Sequence, residues 1–368
     1  LPRKFKEQMK TFIRLSTALV SNVDKRAVKC MTLLLFVVFL SSCGGGNNAP
    51  DVSGIKVQLK TQRFDRAFAS IDTNQVGASL QKLHDQFPEF LDFYLDTLMG
   101  LGVHGNYSDT AAPVRLGVKS FLTHKDYRGL LDTINAHYPD TKDLDAQLTK
   151  GFQYQKYYFP QSGERRIIYI SGWLGNIGAF TYGDNIIGVG LDMFLGASYP
   201  YYKSVGIPEY WSVQLNKDYI PVAVFKTLYR EQNPFRMQDA NLLDMMIQRG
   251  KEAYYIDKVL PFLPESVKLA YTQKQLDWCN KNEGQIYNFF VTQNYLFETS
   301  WQKIVRYVNE GPNSAGMGDD SPGNIGTWVG LQIVKAYMNE HPKMTLADLI
   351  KQHEEPQTFL RDSKYKPK

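Results

Sequence analysis

Imidazole is the commonest metal ligand and proton carrier near neutral pH, so the six histidines are the natural place to look for chemistry. They are His84, His104, His124, His137, His341 and His353. No two stand four residues apart, and none belongs to a His-Glu-x-x-His helix, the spacing that puts two zinc ligands on one helical face. His353-Glu354 opens like that motif but continues Glu355-Pro356-Gln357. Ser171 in "ISGWLG" follows a β-branched run, yet Gly-x-Ser-x-Gly does not occur and no helix follows, so a glycine turn is expected there. "GVGLDMFLG" lacks the third glycine of a dinucleotide fingerprint at the right spacing, and there is no Walker loop. Cys279 in "LDWCN" has no basic neighbour to generate a thiolate and reads as a packed thiol. Asp184, Asp192, Asp218 and Glu252 lie in the central third, but sequence alone selects no acid–base pair among them. The expectation is a chain that is not an enzyme and needs no cofactor or metal.

One residue does carry a specific signal. Cys43 closes an apolar run, Met31 to Leu40, whose ten residues are too few for a bilayer span of about 20. Lys25, Arg26 and Lys29 precede the run, and Leu40-Ser41-Ser42-Cys43 resembles a bacterial lipobox. Residues 1–42 are therefore expected to be a cleaved signal segment with its true start at Met9 or Met31, and residues 43–51 a lipidated cysteine and flexible tether. Acyl chains on Cys43 would contribute about 0.8 kcal/mol per buried methylene to membrane binding. Residues 1–42 also hold eight Lys/Arg and two Asp/Glu, so the net charge of +5 (42 basic, 37 acidic) becomes −1 (34 basic, 35 acidic) beyond them. That balance argues against nucleic acid as a partner. Of three cysteines only Cys279 lies beyond Cys43, which leaves no intramolecular disulfide.

Residues 52–368 must supply the elements that position any site, and they read as one α+β domain, predominantly helical with a small antiparallel sheet. A short strand is expected within Val52–Phe68. Apolar residues at three- and four-residue spacing from Val76 to Leu98 predict helix interrupted near Pro88. Asp140 to Asp143 marks another helix start. "RRIIYISGW" and "GDNIIGVGLDMFLG" read as strands with a turn at Tyr182-Gly183-Asp184-Asn185 between them. Helices then resume at Pro221 and run through "LLDMMIQRGKEAYYIDKVLP", with further segments near Thr272–Cys279, Ile286–Tyr307, Ile325–Met338 and Leu346–Leu360. Asn309 to Gly326 reads as a long mobile loop, and Tyr and Trp concentrate in "YQKYYFP" and "YPYYKSVGIPEYW".

Several segments in order, "RFDRAF", "YQKYYFP", "YISGW", "GVGLDMFLG", "IPEYW", "LLDMMIQRGKEAYYIDKVLP", "YTQKQLDWC" and "PGNIGTWVGLQIVKAYM", resemble the GldB family of gliding-motility lipoproteins of Bacteroidota. The resemblance spans Arg63 to Lys368. It implies a lipid anchor at Cys43, a periplasm-facing place in the cell envelope, and a role in gliding or type IX secretion through contacts with other envelope proteins. It transfers no catalytic residue.

A second similarity is to gluzincin peptidases, whose second helix carries Glu-Gly-x-Ala with the Glu as third zinc ligand. Here "MIQRGKEAYY" places Arg249 at that position, and the preceding helix offers Phe225, Lys226 and Tyr229 where ligands and base are needed. Arginine and phenylalanine have no lone pair for zinc, so this similarity implies a degenerate, metal-free zincin-like scaffold. The alternatives are an envelope hydrolase acting on peptidoglycan or a glycan, with the 309–326 loop as a lid, and a periplasmic chaperone for secreted cargo with a large exposed apolar patch.

Overall fold

Four short strands, Lys60–Arg63 (β1), Arg166–Ile170 (β2), Ala179–Tyr182 (β3) and Ile186–Gly190 (β4), make one sheet in the order β1-β2-β4-β3. They belong to a computed structural model that describes residues 49–102, 107, 112–235 and 240–368. The apolar run before Cys43, Cys43 itself, most of the tether and His104 lie outside the described residues. Asp51–Lys368 forms one compact unit.

The sheet is mixed, which corrects the antiparallel arrangement expected from sequence. β1 pairs parallel with β2 and β2 parallel with β4; only the edge strand β3 runs antiparallel, against β4. The turn at Tyr182–Asn185 therefore joins β3 to β4, not β2 to β4. Parallel neighbours need long crossovers, and the one from β1 to β2 is an entire helical layer: α1 (Phe64–Ala69), α2 (Val76–Gln86), α3 (Phe90–Phe93), α4 (Ala112–Thr123), α5 (Lys125–His137) and α6 (Lys142–Tyr158). Ile167, Ile168, Tyr169 and Ile170 are all fully buried, as expected of a central strand covered on both faces.

The expected strand within Val52–Phe68 shrinks to β1, because Phe64 and Phe68 turn helical and enter an aromatic cluster. Phe64 meets Phe87, Phe90 and Tyr94 edge-on, with centroids 4.6–5.2 Å apart. Such pairs prefer this offset geometry, and the Tyr94 hydroxyl donates to Ser171 O at 2.9 Å, tying the cluster to the turn after β2.

After β4 come α7 (Tyr201–Ser204), α8 (Ile220–Gln232), α9 (Leu242–Val259), α10 (Glu265–Leu269), α11 (Gln273–Lys281), α12 (Glu283–Thr292), α13 (Trp301–Val308), α14 (Ile325–Glu340), α15 (Leu346–Lys351) and α16 (Pro356–Ser363). The two long C-terminal segments expected as single helices are each broken, at Gln293–Ser300 and at Gln352–Glu355, where Pro356 can only start a helix. The 309–326 loop is tied down: Ser314 Oγ donates to Pro322 O at 2.7 Å, and the Ser314 amide donates to Ser321 Oγ at 3.0 Å, with both serines buried. Among the described residues no helix is long and apolar enough to cross a membrane.

Candidate functional site

Helix α8 has two characters, set by its period. Phe225 and Tyr229, four apart, face the core: Phe225 is fully buried against the Phe152 ring (4.9 Å), and Tyr229 packs on Tyr255 (5.2 Å). Lys226 and Arg230, also four apart, lie one step round and face a cavity, since residues i and i+4 share a helical face. Pro221 fits the first turn, where its missing amide costs nothing.

The opposite wall is α9, whose Asn241 cap accepts the Asp244 amide at 2.9 Å. Arg249 and Glu252, three apart, reach the same cavity, and Gly250 between them lets α14 approach. Asn324 and Thr327 at the start of α14, the aromatic pair Tyr210-Trp211, and Glu310 complete a space of about 370 Å³. A second cavity of about 270 Å³ shares Trp211, Lys226, Arg230 and Glu310 with it and continues to Met193, Phe194 and Leu215.

Glu252 is the electrostatic centre. Arg230 holds its carboxylate with two parallel bonds, Nε at 2.9 Å and Nη2 at 2.8 Å, and Arg249 Nη1 stands 3.6 Å away. Burial alone would raise the Glu252 pKa, but the Arg230 hydrogen bonds and the charges of Arg230, Lys226 and Arg249 prevail and lower it. The carboxylate therefore stays ionised. Lys226 donates to the Tyr219 hydroxyl at 3.0 Å and makes no ion pair among the described residues. Its burial works against its charge, but Tyr219 and Glu252 outweigh that and raise its pKa. The Trp211 indole N–H is buried with no acceptor.

Removing the central charge has a defined consequence. Glu252→Gln is expected to lower stability at pH 7 by about 2 kcal/mol, less than for a fully buried pair because Arg230 is half exposed. Because the folded pKa is depressed, Glu252 stabilises the fold above its ordinary value of 4.5 and loses that contribution as pH falls through the lower folded value. The gap between wild type and variant in urea midpoint should therefore shrink on acidification.

The structure thus brings Lys226 and Arg249 into one cavity and sends Phe225 and Tyr229 into the core. The other expected candidates are dispersed. Asp184 sits in the exposed turn between β3 and β4 and Asp218 in an exposed single-turn helix before α8, while Asp192 is fully buried beneath the loop after β2. Cys279 is buried, and burial pushes its thiol up to about 12, which keeps it protonated. Among the described residues no group of three or more His, Cys, Asp or Glu is placed to hold a metal ion. Sequence reasoning missed Arg230, findable as the residue one turn beyond Lys226; Trp211 ends the aromatic stretch "YPYYKSVGIPEYW", but nothing local set it apart from the other aromatics there. Chemically the site offers fixed positive charge, a tryptophan with an unpaired indole N–H in its wall, and an adjoining recess of mixed polar and apolar lining.

One family profile, described as gliding motility protein GldB, matches residues 45–367. No curated protein and no solved structure matches the chain.

Proposed function

The chain belongs to the family of gliding motility protein GldB, and from that premise we propose that it serves the gliding machinery as a lipid-anchored envelope protein that binds partners without catalysis. The observation that supports this reading is the Arg230–Glu252–Arg249 cluster beside Lys226. The one buried carboxylate of the cavity is ionised and bracketed by guanidinium groups, so it has neither a proton to give nor a lone electrostatic field to act as a base. Guanidinium and ammonium groups recognise anions and do not ligate metals. The anchor is Cys43, whose lipid would hold residues 52–368 at the periplasmic side, where envelope proteins of the gliding or type IX secretion apparatus are the partners.

Two measurements test this. Purified protein is expected to carry no stoichiometric zinc and to leave casein and peptide panels intact; one equivalent of metal with turnover would overturn the non-catalytic reading. Cys43→Ala is expected to move the protein from the membrane fraction to the soluble one and to abolish acyl labelling. Unchanged fractionation would remove the anchor.

A further inference from the structure

The geometry points to the joined cavities as a receptor for a carboxylate carried by an extended peptide segment of a partner protein, with an apolar residue of that segment in the adjoining recess. This rests on the binding reading above and names the chemistry of the ligand.

Three observations carry it. First, charge is unevenly committed. Glu252 is occupied by Arg230 and Arg249, whereas the Lys226 ammonium has only the Tyr219 hydroxyl as a hydrogen-bond acceptor among the described residues. An ammonium has three donors, so two remain for a ligand. Second, Trp211 lines the same space, and its indole N–H is buried without an acceptor. A buried donor left without an acceptor is destabilising, and a carboxylate oxygen brought within reach of it would relieve that. Third, the second cavity sets apolar side chains among polar ones. It continues to Met193, Phe194 and Leu215 alongside Asn176, Gln214 and Thr227, whereas the first continues to Asn324 and Thr327. A bare inorganic anion would leave those apolar contacts unused. A peptide bearing a carboxylate next to an apolar side chain uses both, and the carboxylate can be an Asp or Glu side chain or a free C-terminus.

The test is affinity selection of random octapeptides on the full chain in detergent, with one library ending in a free carboxylate and one amidated. If the assignment holds, Asp or Glu beside an apolar residue is enriched from the amidated library, or a terminal apolar residue from the free one; which library responds tells the two carboxylate sources apart. Selected peptides should bind about tenfold more tightly than their Gln or amide counterparts, weaken with salt, and change Trp fluorescence. Lys226→Met should abolish that discrimination while the circular-dichroism spectrum of the fold is retained, and Trp211→Phe, which removes the indole donor, should reduce it if Lys226→Met fails to fold. No acidic or terminal enrichment, discrimination retained in both variants, or binding of inorganic phosphate alone would each overturn the assignment. Cleavage of a bound peptide, read by mass spectrometry, would instead overturn the non-catalytic reading and leave the recognition chemistry standing.

Discussion

Gly330→Ala is expected to be the most damaging single-atom change in the protein, lowering stability by about 3–4 kcal/mol. Helices α9 and α14 cross where Gly250 faces Gly330. A Cβ on Gly330 would fall inside the van der Waals envelope of the Met246 carbonyl, and one on Gly250 would strike the Gly330 backbone. Both obstacles are main chain, so no rotamer change can relieve the overlap; the helices must part. That separation would reach the site directly. Arg249 and Glu252 flank Gly250 on α9, and Asn324 and Thr327 begin α14, so the two walls of the cationic cavity would move with the helices. A urea midpoint well below wild type, together with weakened peptide selection, is the expected result. Gly129→Ala on α5 is the matched control. Nothing lies within 4 Å of its added methyl, and it should be neutral or stabilising by up to about 1 kcal/mol, since alanine favours helix.

Asp192→Ala is expected to cost about 3 kcal/mol by a different route. The fully buried Asp192 carboxylate accepts the Gly172 and Leu174 amides, each at 2.7 Å. Those bonds hold a loop in which Trp173, Leu174 and Asn176 all have positive φ, near +60°. Each such non-glycine residue costs on the order of 1–2 kcal/mol and persists only where surrounding structure fixes it. Without the carboxylate, two amides lose their acceptor, at about 1–3 kcal/mol apiece when buried, and the strained turn is released. The offset is the charge no longer buried, which keeps the net loss near 3.

The same residue sets a pH dependence of definite sign. Burial pushes the Asp192 carboxyl up to about 6 from an ordinary 3.8, against the pull of its amide bonds and with a contribution from Asp65. Between those values the folded chain holds a proton that the unfolded chain has lost, so this group's contribution to stability falls as pH rises from about 4 to about 6, then levels. Asp192→Asn, which cannot titrate, should lack that slope, and the difference between the two urea-midpoint profiles isolates it. Because Asn176, Gly178, Met193 and Phe194 line the second cavity, peptide selection should also suffer in the alanine variant.

How legible this molecule is differs by range of interaction. The helix start at Pro221 follows from the proline rule, which acts within a turn of the helix. Pro88 ends α2 as its ring requires. The sheet was illegible in one respect: the β3–β4 turn has a local signal, but β1 finds its partner more than 100 residues along the chain. No periodicity encodes that pairing. The site divides in the same way. Lys226 and Arg249 were nameable from a motif-like helix pair, whereas their union around Glu252 depends on where α9 meets α8.

By itself the sequence determined the family, the lipobox-like ending at Cys43, the charge balance beyond residue 42, and the helical texture, because each is written in adjacent residues or in short periods. The tertiary structure alone decided that the sheet is mixed, that Phe225 and Tyr229 belong to the core while Arg230 joins Lys226 at the cavity, and that Asp192 governs a strained loop. The physical reason is that electrostatic engagement and burial are set by distances through space. Arg230 and Glu252, 22 residues apart in the chain, become one charge pair only when two helices are packed side by side.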